Sequence, residues 1–272
     1  MAYKLIAIDI DDTLLDSSQN ISERVKNAVS KAAKTGIYIV LCTGRILKGS
    51  RRFYDVLGLK TAMITTGGAE IYDADGTCLY RQTVNPATVK ELLAFAHDNG
   101  IHFQVYIGGE LVYCEKNKYL ESYEKSNDFK GVEIPDLLEL NEIQTPKVLL
   151  ISDPERMDSL QEAARERFPM LNINRSKPTY LEFSSPGVSK GDALRFVAGY
   201  YGVSEAETIA IGDAEIDIPM IKAAGLGVAV ANATPITKQA ADYICPSNDE
   251  DGVAEVIEKF ILEAQNEDQA QD

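Results

Sequence analysis

Apolar and polar positions alternate along this chain in blocks whose period changes at two places. Lys4-Leu5-Ile6-Ala7-Ile8 is a short, nearly continuous apolar run, the pattern of a strand buried on both faces. Ser22 then stands before Val25, Ala28, Val29, Ala32 and Ala33, a helical spacing that Gly36 ends. Ile37 to Leu41 predicts a second strand, Ile46 to Leu57 a second helix, and Ala62 to Thr65 a third strand. The alternation returns late in the chain. Ser189 to Tyr201 and Ile218 to Ala224 predict helices, Thr208 to Ile211 and Gly227 to Val230 predict strands, and Val253 to Ile261 carries a last helix. Alternating strands and helices predict a parallel sheet with right-handed crossovers.

The middle follows another rule. His102 to Ile107, Gly108-Gly109 and Leu111 to Cys114 predict a hairpin, and Lys147 to Ser152 a further strand. Pro154 to Phe168 predicts a helix, with Leu171 to Asn174 and Tyr180 to Phe183 as a second strand pair. The fold class expected is therefore α/β, a Rossmann-like parallel sheet core with an inserted α+β cap. Residues 1–83 and 187–272 form the core and 84–186 the cap. The Pro-containing segments Val84-Asn85-Pro86 and Ser184-Ser185-Pro186-Gly187 mark its edges and suit a hinge. The tail after Leu262 lacks apolar content and reads as frayed.

Composition narrows the picture. At 272 residues the chain is long for one core, and 45% hydrophobic with 25% charged residues is an ordinary globular balance. Twenty-seven Lys and Arg against 42 Asp and Glu leave a net charge of −15. That charge disfavours nucleic acid and anionic membrane as partners, and an anionic substrate would need a metal or placed cations. Cys42, Cys78, Cys114 and Cys245 are widely spaced, as reduced thiols of a cytoplasmic protein would be. Two histidines, His97 and His102, make a His-rich zinc site improbable. No run approaches the length of a membrane span, and Met1 leads straight into a strand with no signal-peptide layout.

Candidate chemistry gathers at strand ends. Asp9-Ile10-Asp11-Asp12-Thr13 puts three carboxylates within four positions after a buried strand, where they repel one another unless a hard cation such as magnesium is present. A solvated acidic turn is the plain alternative. While extended geometry persists, Asp9 and Asp11 project the same way. Ile211-Gly212-Asp213 and Asp217 repeat the arrangement. If the fourth strand lies beside the first, the sheet order is 5-4-1-2-3 and both acid clusters share the switch-point crevice where ligands bind. Cys42-Thr43-Gly44-Arg45 reads as an anion site opening a helix, or as a Thr cap. Lys190, in a first helical turn, opposes the helix dipole and calls for a nearby anion, or is simply solvated beside Asp192. No GxxxxGK[ST] sequence is present, which argues against a P-loop ATPase.

Together, Asp9-x-Asp11-x-Thr13, Thr43-Gly44-Arg45, Gly187 to Gly191, Gly212-Asp213 and Ala223 to Ala233 resemble the haloacid dehalogenase superfamily, in its Cof-type phosphatase subfamily. The resemblance runs nearly the whole chain. It implies Asp9 as a nucleophile forming an aspartyl-phosphate and Asp11 as general acid and base. It implies Mg2+ held by Asp9, the main-chain carbonyl of Asp11 and Asp213, and phosphoryl oxygens held by Thr43, Gly44 and Lys190. Asp217 and Arg45 would support these groups from behind, Asp217 as a second-layer or water-mediated metal partner. The chain departs from the pattern at Asp12, where Gly is common, at Ile216, where Asn is usual, and at Gly67-Gly68, where Asn-Gly is usual. The implied activity is hydrolysis of small phosphomonoesters, sugar phosphates among them. A phosphotransferase or phosphomutase is the nearer rival, and a catalytically weak phosphate-binding regulator the farther one. Tyr106, Tyr180 and Glu182 are candidates for selectivity, with core packing as their alternative role.

Overall fold

The computed structural model describes residues 3–127 and 129–263, so most of the tail expected to fray lies outside the described residues. The chain separates into two compact units. One comprises the segment ending at Arg45, Ser50–Tyr80, and the segment starting at Ser189; the other comprises Ile46–Gly49 and Arg81–Val188.

In the first unit five parallel strands lie in the order Tyr243–Cys245, Leu226–Val230, Thr208–Gly212, Leu5–Ile8, Tyr38–Leu41. Each of the inner strands is an apolar run with no polar alternation because both its faces are covered. Leu5, Ala7, Val40 and Ala210 face helix Lys190–Tyr200 through Leu194, Val197 and Ala198. Helix Glu23–Lys34 is capped by the Ser22 hydroxyl, which accepts the Val25 N–H at 3.1 Å, and it packs on helix Gly252–Ile257. Met63–Thr65, expected beside Tyr38–Leu41 in the order 5-4-1-2-3, joins this sheet by one bridge between Ile64 and Cys42 and by the Thr43 N–H, which donates to the Ile64 carbonyl at 3.0 Å. It pairs with Glu70–Tyr72 in a small sheet completed by Cys78–Arg81. Of that small sheet the apolar pattern predicts Met63–Thr65 but not Glu70–Tyr72 or Cys78–Arg81, and it also passes over the outer strand Tyr243–Cys245.

The second unit is a six-stranded sheet in the order Asn172–Lys177, Tyr180–Ser184, Lys147–Ile151, His102–Ile107, Glu110–Tyr113, Val132–Glu133. The hairpin turn carries Gly108 and Gly109 at φ 62° and 86°, the two successive positive φ values that a two-residue turn needs. Helices Pro86–Asp98 and Pro154–Arg167 cover one face with Val89, Leu92, Leu93, Met157 and Leu160. Helix Lys118–Asn127 covers the other through Leu120 and Tyr123. Two of these helices were missed, although both have caps that could have shown them. Asn85 accepts the Ala87 N–H ahead of Pro86, and Asn117 accepts the N–H groups of Tyr119 and Leu120.

All four thiols are free; Cys42 and Cys245 are buried and Cys78 is exposed. Burial pushes the Cys245 thiol up to about 12 and raises that of Cys42 as well. In the folded protein at pH 8, iodoacetamide should label Cys78 first and leave Cys42 and Cys245 intact until denaturant is added. Peptide mass mapping reads the order, and labelling of Cys42 at the rate of Cys78 would contradict this packing.

Candidate active site

Strand register brings the acidic segments together. Ile8 is level with Ile211 on one side and Leu41 on the other. The next residues of the three strands therefore emerge at one sheet end: Asp9, then Gly212-Asp213, then Cys42-Thr43. Backbone bonds extend the ladder past the strands, with Asp9 N–H donating to the Ile211 carbonyl at 3.0 Å and Cys42 N–H to that of Ile8 at 2.8 Å.

After Asp9 the chain turns sharply. The N–H groups of Leu14 and Leu15 return to the carbonyls of Asp9 and Ile10, and Asp12 takes a left-handed φ of 55°. Asn232 Nδ2 donates to the Asp12 carbonyl at 2.7 Å and fixes that turn, and the Asn232 side chain in turn accepts the Asn248 N–H. Thr13 donates its hydroxyl to Asp213 Oδ1 at 3.0 Å. The resemblance includes Thr13 and Asn232 only as pattern positions; their roles depend on contacts across 200 and 220 positions of chain, which no local signal carries.

Lys190 is the centre of the charge arrangement. Only 1% exposed, it is not the solvated lysine of the plain reading. Its Nζ donates to Asp9 Oδ1 and to Asp217 Oδ1, each at 2.5 Å. Asp217 Oδ2 accepts the N–H groups of Asp213 and Ala214, so one buried carboxylate closes the Gly212–Asp217 loop and orients the lysine. Burial pulls the Lys190 ammonium down, but Asp217 and Asp9 outweigh it and hold it well above the usual lysine range. Burial raises Asp9 despite Lys190, and burial with the Asp217 charge pushes Asp213 up to about 7.

Carboxylate oxygens of Asp9, Asp213 and Asp217 lie within 4.8 Å of one another. Three acids against the single ammonium of Lys190 leave an excess of negative charge in a water-poor pocket, and every donor is a hard oxygen. That donor set fits a divalent cation such as magnesium or calcium rather than a soft metal. Asp217 is committed to Lys190 and two amides, which leaves Asp9 and Asp213 as the side chains able to hold the ion.

The Thr43 segment corrects one expectation. The helix after it begins at Leu47, so Thr43 and Gly44 do not open it. Thr43 Oγ1 instead accepts the Arg45 N–H at 3.1 Å, a short turn in which the buried hydroxyl orders the backbone locally. The Thr43 carbonyl accepts the Gly67 N–H and the Arg45 carbonyl accepts that of Thr66. Arg45 forks onto Asp11, which therefore points to the guanidinium while Asp9 points to Lys190. Of the three residues considered for selectivity, Tyr106 is 1% exposed, with its hydroxyl bonded to Gln104 and Tyr123, so it belongs to the core. Glu182 accepts from Lys147 and Ser176, and Tyr180 is half-buried against Tyr123.

With this geometry in view, the comparisons are decisive. The haloacid dehalogenase-like hydrolase family matches residues 6–257. The chain belongs to that family. A 5-amino-6-(5-phospho-D-ribitylamino)uracil phosphatase of Bacillus subtilis is 32% identical over 259 residues, covering 95% of this chain and 96% of its own. A putative phosphatase of the same organism is 34% identical over 281 residues, covering 96% and 99%. A crystal structure of a haloacid dehalogenase-like hydrolase from Bacteroides thetaiotaomicron superposes with a TM-score of 0.88 at 32% identity, covering 94% of this chain and 99% of that one. The Cof-type resemblance stands with these matches, and the enzyme class is phosphatase. Among the described residues of this hydrolase no helix is long and apolar enough to cross a membrane.

Gly68 holds the phosphatase loop against the lysine segment. Its φ is 102°, and a Cβ there would lie 2.3 Å from the Ser189 carbonyl oxygen. Gly68→Ala should therefore cost about 2–4 kcal/mol of stability, read as a shifted denaturant midpoint. Asp217→Asn should cost a comparable ~2–4 kcal/mol with a chelator present, because it withdraws one carboxylate from a buried ammonium. An unchanged midpoint would show that Asp9 alone satisfies Lys190.

Proposed function

We propose that this chain hydrolyses phosphomonoesters of small metabolites, with Asp9 as the nucleophile. One observation carries the proposal: a buried carboxylate at a strand end, held by Lys190 at 2.5 Å and bordered by Asp213. Lys190 engages one Asp9 oxygen, and the surrounding acids favour a cation that would leave the carboxylate ionised.

An Asp9 oxygen attacks phosphorus, the bond from phosphorus to the leaving oxygen breaks, and Asp11 gives its proton to that oxygen. Asp11 then takes a proton from water, the water oxygen attacks phosphorus, and the acyl-phosphate bond breaks to restore the Asp9 carboxylate. Thr43, the Gly44 N–H and Lys190 hold the phosphoryl oxygens where negative charge develops. Asp9, the Asp11 carbonyl and Asp213 would hold Mg2+, which when bound supplies charge neutralisation for the transferring group.

Substrates are assigned to phosphorylated sugars and polyols. The Bacillus relative, whose printed name gives a phosphoribityl compound, supports that class. Substrate choice is assigned to the inserted unit, residues 84–186, because the residues singled out for phosphoryl chemistry all lie in the other. A cytoplasmic location is part of the same reading, supported by the four free thiols.

The protein with MgCl2 should release inorganic phosphate and p-nitrophenol in equal amounts from p-nitrophenyl phosphate without an acceptor, whereas a transferase would need one. Asp9→Asn should lower kcat by about 10³-fold or more at an unchanged fold. Excess EDTA should abolish turnover and MgCl2 should restore it. Full activity of Asp9→Asn would remove the nucleophile, and a folded, magnesium-saturated protein inert on a broad phosphate panel would remove the proposal.

A further inference from the structure

The fork between Arg45 and Asp11 has no part in the chemistry written above, and its geometry is specific. Arg45 Nε donates to Asp11 Oδ2 at 2.9 Å and Nη2 to Oδ1 at 2.5 Å. The two partners are unequally placed. The Arg45 side chain is 9% exposed while that of Asp11 is 47% exposed.

Arg45 is pinned along its length. Its N–H is held by Thr43 Oγ1 and its carbonyl by the Thr66 N–H. The guanidinium carbon lies 5.2 Å from the Phe53 ring centroid, and Nη2 also reaches Gln19 Oε1 at 3.4 Å. A half-exposed aspartate on its own samples several χ1 and χ2 settings. A planar two-point fork from an anchored guanidinium admits one carboxylate plane. Each carboxylate oxygen accepts one donor of the fork.

We infer that Arg45 is a positioning residue, which acts through Asp11 by fixing the plane from which that carboxylate exchanges protons with the leaving group and with water. This inference rests on the proposed role of Asp11 in phosphomonoester hydrolysis. Arg45 Nε and Nη2 are engaged by Asp11 and Gln19, and the kinetic test below separates this positioning role from a direct contact with substrate phosphate.

Leaving-group dependence separates the two roles. A poor alkoxide leaving group needs the proton from Asp11, whereas p-nitrophenolate departs with little help. Arg45→Gln should lower kcat/KM, which reports the Asp9 phosphorylation step, on glycerol 2-phosphate by about 30-fold or more and on p-nitrophenyl phosphate by no more than about 3-fold, with the inhibition constant for inorganic phosphate nearly unchanged. Arg45→Lys, which keeps the charge but loses the fork, should show the same selectivity if Arg45→Gln does not fold. Asp11→Asn should show the same selectivity in kcat/KM while lowering kcat on both esters through the shared hydrolysis step, and kcat/KM of Asp11→Asn/Arg45→Gln should be no worse than that of Asp11→Asn alone.

Equal losses of kcat/KM on both substrates, a rise in the inhibition constant for inorganic phosphate, or additive losses in the double variant would overturn the inference and make Arg45 a phosphate ligand. The hydrolase reading would survive any of those results. Failure of the unmodified protein to hydrolyse either ester would overturn both.

Discussion

A single ammonium held between two carboxylates is the constraint on which the site depends. Lys190 reaches Asp9 from the first strand and Asp217 from the loop after the fourth, so one side chain ties together three segments far apart in the chain. Buried ion pairs contribute little net stability, because desolvation offsets the attraction. The arrangement is better understood through its charge. With Asp213 included, three carboxylates face one ammonium, and the structure is left with an excess that a divalent cation matches. Burial raises Asp9 and, with the Asp217 charge, pushes Asp213 up to about 7, the electrostatic consequence of gathering carboxylates in a buried site. Lys190 thus offsets part of the cluster's charge, and the carboxylates that remain are compatible with a bound metal ion.

The rest of the catalytic unit serves to bring that lysine to its place. Parallel register sets Asp9, Asp213 and Thr43 at one sheet end. The loop after the third strand then passes through Thr66 and Gly67 at φ 55° and 67° and Gly68 at φ 102°. Positive φ at a β-branched residue such as Thr66 is costly, and the Thr66 hydroxyl donates to buried Glu70, which holds it there. The strained loop gives the Ser189 carbonyl room to approach Gly68, and Ser189 caps the helix whose first residue is Lys190. Backbone strain at 66–68 and the position of the ammonium are therefore parts of one arrangement.

Much of this was legible in the sequence, for identifiable reasons. Buried parallel strands write themselves as apolar runs, and acids placed directly after such runs are conspicuous because packing gives them no role. Lys190 was readable as a cation in need of an anion, since a lysine in a first helical turn opposes the dipole. What stayed hidden has short strands or long-range partners. Glu70–Tyr72 is too brief to show a period, and the hydroxyl of Thr13, the amide of Asn232 and the fork of Arg45 acquire meaning only from groups 34 to 220 positions away. The caps at Asn85-Pro86 and Asn117, by contrast, are local signals that the sequence does carry.

Two departures from the family pattern prove to be one feature. Read along the chain, Ile216 and Gly67-Gly68 are unrelated losses of polar side chains, and Ile216 offers the sole support for a catalytically weak regulator. In space they adjoin: a Cβ at Gly67 would sit 3.4 Å from Ile216 Cδ1. The bare glycine thus borders the larger apolar side chain, and the pair replaces two polar positions with a single apolar contact. None of the hydrogen bonds that hold Asp9, Asp213, Asp217 or Lys190 comes from the Ile216 side chain. A change confined to that contact alters the wall beside the site and leaves Asp9, its lysine and the acid cluster in place. The same side chain that suggested lost chemistry is therefore better understood as altered shape.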